Sequence, residues 1–210
     1  MNDPTPDSTA ALIREKLLEG FGVMEAVAHD AALHRTLIAA AETTADALLA
    51  GRKLMVAGNG GSAADAQHVV AEFVSRLVDD RPPMRAVALT TDTSILTAIA
   101  NDYGFEHLFA RQIEALGQPG DVFLAISTSG NSPNILRALE QCRALGIVTI
   151  GLTGNTGGKM PPLCDYCLRM PSGVTMYIQQ AHLALEHIFS LLVERRYFSA
   201  KPAASAAAKG

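Results

Sequence analysis

Two short apolar runs, KLMVA (53–57) and DVFLAI (121–126), each break off into a loop of glycine, hydroxyl and asparagine residues and then into a helical pattern. The first loop is GNGGS (58–62), ahead of a helix predicted over 63–77. The second is STSGNS (127–132), ahead of Pro133, which suits a first helical turn with Ser132 as its N-cap. Runs that are apolar on both strand faces need cover on both, which points to a parallel sheet between helices. Further strands are predicted at 86–89, 148–152 and 167–170, and a helical stretch from about Ser94 breaks at 101–104. Residues 8–50 are helical in period, with Gly20 and Gly22 weakening the first helix and Asp30 placed to cap a second. A last helix is predicted over 175–195. The fold class expected is α/β, a three-layer sandwich with a central parallel sheet and an N-terminal helical addition. A single domain spans 8–197, with 1–7 and the Ala-rich 198–210 expected to be disordered.

Charge and composition remove several classes of function. Lys plus Arg number 17 against 21 Asp plus Glu, a net charge of −4, with no basic run to neutralise phosphates, so nucleic acid is not the expected ligand. With no Trp and 5% aromatics there is no stacking platform for single strands. The start, MNDPTPDST, lacks the basic and apolar regions of a signal peptide, and no apolar run reaches the roughly 18 residues of a membrane span. A cytoplasmic protein without membrane association is expected. Of the three cysteines, Cys142, Cys164 and Cys167, the last two spell C-x-x-C within CDYCLRM. That run alternates like a strand, which puts the two sulfurs on opposite faces and argues against a metal or redox role.

In a parallel sheet, ligands bind beyond the carboxyl ends of the strands. The glycine loop allows close backbone approach, and the serine loop offers four hydroxyls plus the free amides of a helix start, a phosphate cradle that needs no lysine. Ordinary turns and caps use the same residues. Gly58-x-Gly60-x-x-Ala63 also fits a dinucleotide fingerprint with Asp92 as ribose ligand. However, Asp92 lies 34 positions after Gly58, where roughly 20 is usual. A nicotinamide enzyme also leaves the serine loop without a task. A Walker loop fails because no Lys-Ser/Thr follows the glycines.

His68 and Glu72, four apart, share a helix face, while Gln179 and His187 lie eight apart on the last helix. Two imidazoles, a carboxylate and an amide oxygen suit a borderline divalent cation such as zinc. A His–Glu pair at this spacing is otherwise a plain surface contact, and His182 competes with Gln179 for the same face. His29, His34 and His107 have no partner pattern. Asn101-Asp102 sits where it can orient substrate hydroxyls or simply make a turn.

Taken together, GNGGSAADAQH (58–68), HVVAEFVSR (68–76), TAIANDYGF (97–105), AISTSGNSPN (125–134), LTGNTGGKM (152–160) and IQQAHLALEH (178–187) resemble the phosphoheptose isomerases. These are sugar-isomerase-domain (SIS) proteins with a flavodoxin-like sheet, and the likeness spans about residues 10–195. It implies conversion of sedoheptulose 7-phosphate to D-glycero-D-manno-heptose 7-phosphate through an enediol, the first step towards bacterial surface heptoses such as those of lipopolysaccharide. Carried over by position, Asn59, Gly60, Gly61, Asn101 and Asp102 contact the sugar, and Ser127, Thr128, Ser129 and Ser132 hold its phosphate. His68, Glu72, Gln179 and His187 hold one zinc per subunit, with Glu72 and Gln179 also meeting substrate and Glu72 and His187 carrying catalysis. The resemblance also implies a homotetramer with sites between subunits. Tyr177 and Gln180 depart from the Arg and Glu common in relatives, and the turn RPPMR (81–85) carries no signal. The alternative is a non-catalytic relative that binds a phosphosugar or a replication initiator. Such proteins lose part of the His/Glu/His set, which is complete here.

Overall fold

The computed structural model describes residues 6–200, so the expectations for 1–5 and 201–210 lie outside the described residues. The chain opens with α1 (Pro6–His29) and α2 (Ala31–Leu49), and closes with α7 (Thr175–Ala200). Helix therefore takes in residues 6–7 and 198–200, slightly beyond the predicted domain limits. Asp30 caps α2 as anticipated, accepting from the amides of Ala32 and Leu33 at 2.9 Å. Gly20 does not interrupt α1. It lets α1 lie against α7, where a Cβ would stand 3.0 Å from Gln180 Oε1 and 3.4 Å from the Tyr177 ring.

Five strands form one sheet: β1 (Leu54–Gly58), β2 (Ala86–Ala88), β3 (Val122–Ile126), β4 (Val148–Thr153) and β5 (Tyr166–Arg169). All neighbours are parallel, in the order β2-β1-β3-β4-β5. Alternate strand residues feed two cores. Leu54, Val56, Val122, Leu124 and Ile150 pack beneath α2, α7 and α3 (Gly61–Val74). Met55, Ala57, Phe123 and Ala125 pack beneath α4 (Thr93–Asp102), α5 (Leu108–Leu116) and α6 (Pro133–Leu145). The result is the predicted three-layer sandwich. The break after Asp102 is real: Gly104 adopts a φ of +93° and a 3-10 turn leads into α5.

Strand order reverses between β1 and β3, with Gly58 paired to Ile126 at the last rung. The two loops of interest leave the sheet side by side at that switch point, where a crevice forms because the following helices, α3 and α6, depart to opposite faces.

Candidate active site

The glycine loop is shaped by contacts that forbid side chains. A Cβ on Gly58 would stand 2.4 Å from the Ser62 carbonyl oxygen, and Gly60, at φ +57°, forms the N-cap of α3. Asn59 reaches across to Asn134 at the start of α6, and their amides exchange hydrogen bonds of 2.9 and 2.8 Å. Asn134 is buried. It lies in the serine-loop motif, yet nothing in the sequence marks it as the partner of Asn59.

Ser132 occupies the N-cap position of α6, but its hydroxyl makes no capping bond. It pairs instead with Ser127 Oγ at 3.0 Å, inside the loop. The backbone N–H groups of Thr128, Ser129 and Ser132 make no hydrogen bond among the described residues, so hydroxyls and free amides gather at one helix start. That is the chemistry of an anion site. The segment 154–160 braces the loop from behind through Gly154 N–H to the Thr128 carbonyl at 3.0 Å and Lys159 N–H to the Gly130 carbonyl at 2.9 Å. Gly130 has a φ of +64°, and a Cβ there would stand 2.0 Å from the Gly157 carbonyl oxygen.

His68 and Glu72, one turn apart on α3, meet His187 from α7. Their ligand atoms all lie within 4.8 Å of one another. The two Nε2 atoms are 2.8 Å apart, with rings crossing at 81°, and Glu72 Oε1 is 3.4 Å from His68 Nε2. Two imidazole nitrogens on a tetrahedral divalent ion stand about 3.3 Å apart. An ion fits here if the rings part by about 0.5 Å, within side-chain rotation. The donor set therefore suits a borderline cation, and all three donors come from one chain. Gln179 joins the same helix pair: its Nε2 donates to Asp65 Oδ2 at 3.3 Å, one turn before His68, which leaves Oε1 free. Gly61 provides its seat, since a Cβ there would stand 2.0 Å from Gln179 Nε2.

His182 is no rival for that site. It points into the sheet with Nε2 3.3 Å from the Thr153 carbonyl, and burial lowers its pKa to about 4. One turn on, Glu186 is buried with neither oxygen partnered among the described residues, and burial, then the charge of Asp65, raise its pKa to about 8. Burial likewise raises the Asp65 carboxyl above its ordinary value. The inner face of α7 is thus a buried polar stripe behind the His/Glu/His group.

The turn at 81–85 is more informative than its sequence suggests. Arg81 donates to the carbonyls of Glu72 at 2.5 Å and Phe73 at 2.8 Å, closing the C-terminal end of α3. Its Nε also meets Glu194 of α7 at 2.6 Å, with both side chains about 5% exposed. The two helices that carry the ligand group are therefore clamped together beyond it. Tyr177 and Gln180 also act structurally: Tyr177 donates to Glu19 of α1 at 2.5 Å, and Gln180 packs on Gly20.

Two other sequence candidates stand apart. Asn101 and Asp102 are exposed at the end of α4 and bond each other at 2.7 Å. Asp92 accepts from the Ile95 amide at 3.0 Å as the N-cap of α4, so the carboxylate the dinucleotide reading needs is already engaged.

The SIS domain family model matches residues 23–154. A phosphoheptose isomerase of Aneurinibacillus thermoaerophilus is 52% identical over 189 residues, covering 90% of this chain and 96% of the relative. Phosphoheptose isomerase 2 of Campylobacter jejuni is 60% identical over 148 residues, 70% of this chain and 74% of the relative. Among solved structures, a phosphoheptose isomerase from Neisseria gonorrhoeae superposes with a TM-score of 0.83 at 38% identity, covering 89% of this chain and 99% of that one. One from Francisella tularensis gives 0.85 at 34%, with 89% and 98% covered.

Proposed function

The chain belongs to the SIS domain family and, within it, to the phosphoheptose isomerases, which makes it a phosphosugar isomerase. On that premise we propose that it converts sedoheptulose 7-phosphate to D-glycero-D-manno-heptose 7-phosphate in the cytoplasm, supplying heptose for surface glycans. The observation that carries this reading is the convergence of His68, Glu72 and His187 within 4.8 Å, on helices that flank the anion-binding crevice.

The phosphate sits in the loop of Ser127, Thr128, Ser129 and Ser132, held by hydroxyls and unpartnered amides. Asn59, Gly60 and Gly61 line the sugar from the neighbouring loop. Glu72, mostly buried beside His68, takes the C1 proton of the ketose and returns it to C2. His187 moves the accompanying proton between the C1 and C2 oxygens. His68, Glu72, Gln179 and His187 would hold one zinc ion per subunit, which would supply Lewis-acid polarisation of the carbonyl.

The assembly in this reading is a homotetramer. Helix α1 supports it by presenting Leu12, Ile13, Leu17, Leu18 and Phe21 outward, with Leu17 68% and Phe21 65% exposed. The exposed Asn101–Asp102 pair is then the contribution of one subunit to the sugar end of another's site.

Proton NMR of sedoheptulose 7-phosphate incubated with the protein, with and without added zinc, tests the proposal. Aldose signals that grow faster with zinc are expected. An unchanged ketose under both conditions, with the protein still folded, rejects it. Glu72→Gln should nearly abolish turnover without unfolding the chain, and substantial activity in that variant removes Glu72 from its role as base.

A further inference from the structure

The structure overturns the strand-alternation reading of Cys164 and Cys167. Cys164 does not belong to the strand: it closes the 3-10 turn 161–163, and the following Asp165 is pinned to β4. Asp165 accepts from the Thr149 amide and hydroxyl, both at 2.8 Å, and its own N–H bonds back to Thr149. Regular pleating begins only at Tyr166. Cys164 thus lies across β4, its Sγ only 2.7 Å from where a Cβ on Gly151 would stand.

Gly151 is in turn the register partner of Cys167 on β5. Parallel neighbours stand about 4.8 Å apart with paired side chains on one face. Tyr166 and Leu168 pack in the core under α2 and α7, so Cys167 faces the opposite side, where Cys164 packs. The missing side chain of Gly151 leaves the space in which the two sulfurs meet. Both residues are partly exposed, Cys167 on the edge strand and Cys164 just ahead of it, while Cys142 is fully buried.

We propose that Cys164 and Cys167 form a reversible dithiol–disulfide pair, oxidised by hydroperoxides, with Cys167 reacting first. The Cys167 thiolate attacks the peroxide O–O bond and becomes a sulfenic acid, releasing water (or an alcohol from an organic peroxide). The Cys164 sulfur then attacks the sulfenic sulfur, the S–O bond breaks, a second water leaves and the disulfide forms. Two thiols lose two electrons and two protons, and one hydroperoxide is reduced. The order of attack follows from surroundings. Contact with Cys164, then the charge of Arg169 two residues along the same strand face, lower the Cys167 pKa. The same contact, then burial, raises that of Cys164.

The test is simple because both cysteines fall in one tryptic peptide, 160–169, and Cys142 in another, 138–143. Full-length reduced protein is exposed to hydrogen peroxide, unfolded, alkylated and mapped by mass spectrometry. The expected product is peptide 160–169 lighter by two hydrogens and unalkylated, with Cys142 alkylated and dithiothreitol restoring both thiols. In Cys164→Ser, Cys167 should proceed to sulfenic and sulfinic acid. In Cys167→Ser, Cys164 should stay alkylatable. Full alkylation of 160–169 under peroxide that oxidises a reference thiol overturns the proposal, as does a disulfide found only between chains. Equal oxidation of Cys164 in Cys167→Ser overturns the assigned order.

Discussion

The clamp between Arg81 and Glu194 allows a quantitative test. Arg81→Met keeps an apolar stem near the Phe198 ring, which the guanidinium approaches at 5.7 Å, but removes the charge and every donor. Glu194, 6% exposed, is left without its counter-charge, and the carbonyl of Glu72 loses its Arg81 donor, while that of Phe73 keeps the Met84 amide at 3.0 Å. Breaking a buried ion pair from one side costs about 3–5 kcal/mol. Glu194→Gln is milder: Arg81 keeps its carbonyl partners at the negative end of α3, so about 1–3 kcal/mol is expected. The double variant Arg81→Met/Glu194→Gln carries no orphaned charge and should recover about 2 kcal/mol relative to Arg81→Met alone. Urea unfolding at one fixed protomer concentration measures all four proteins on one scale. A loss below about 1 kcal/mol in Arg81→Met, the value of an exposed pair, refutes the reasoning. So does strict additivity in the double variant.

Other outcomes follow from the same geometry. Gly61→Ala places a methyl on the Gln179 amide, and zinc affinity read by chelator competition should fall about 10–100-fold while the fold persists. Ser127→Ala/Ser132→Ala should raise KM for the phosphosugar about tenfold or more with a smaller change in kcat, measured by steady-state kinetics. His182, with a pKa lowered from 6.5 to about 4 by burial, contributes stability that is complete above pH 6.5 and lost as pH falls through 4. That contribution amounts to roughly 3 kcal/mol. His182→Gln, which keeps a donor for the Thr153 carbonyl, should flatten that acid limb in urea titrations; an unchanged slope would place the acid sensitivity elsewhere.

What the sequence reveals depends on how far apart in the chain the interacting groups lie. Strands, loop positions and the His68–Glu72 pair are legible because each rests on local periodicity, and β1, α3, β3 and α6 appear near their predicted positions. The meeting of these residues with His187 rests on the resemblance, since helix period fixes a face but not which helix lies opposite. Arg81 is illegible for a related reason: a turn arginine signals nothing until α7 brings Glu194 beside it, 113 residues away. Ser132 and Asp92 show the ambiguity of polar residues at helix starts. Both look like caps, but only Asp92 caps, because Ser127 captures the Ser132 hydroxyl. The alternation rule fails at Cys164 because Asp165 anchors the chain to β4 before the strand pleat begins.

The paired amides of Asn59 and Asn134 make the two crevice loops one mechanical part. A jaw joined in this way cannot widen at one loop without dragging the other with it. Redesign towards a shorter or longer phosphosugar must therefore leave this rivet alone and work from the opposite wall. The exposed end of α4 is the place to begin, since in the proposed assembly Asn101 and Asp102 meet the sugar from a neighbouring subunit, and among the described residues their side chains bond each other.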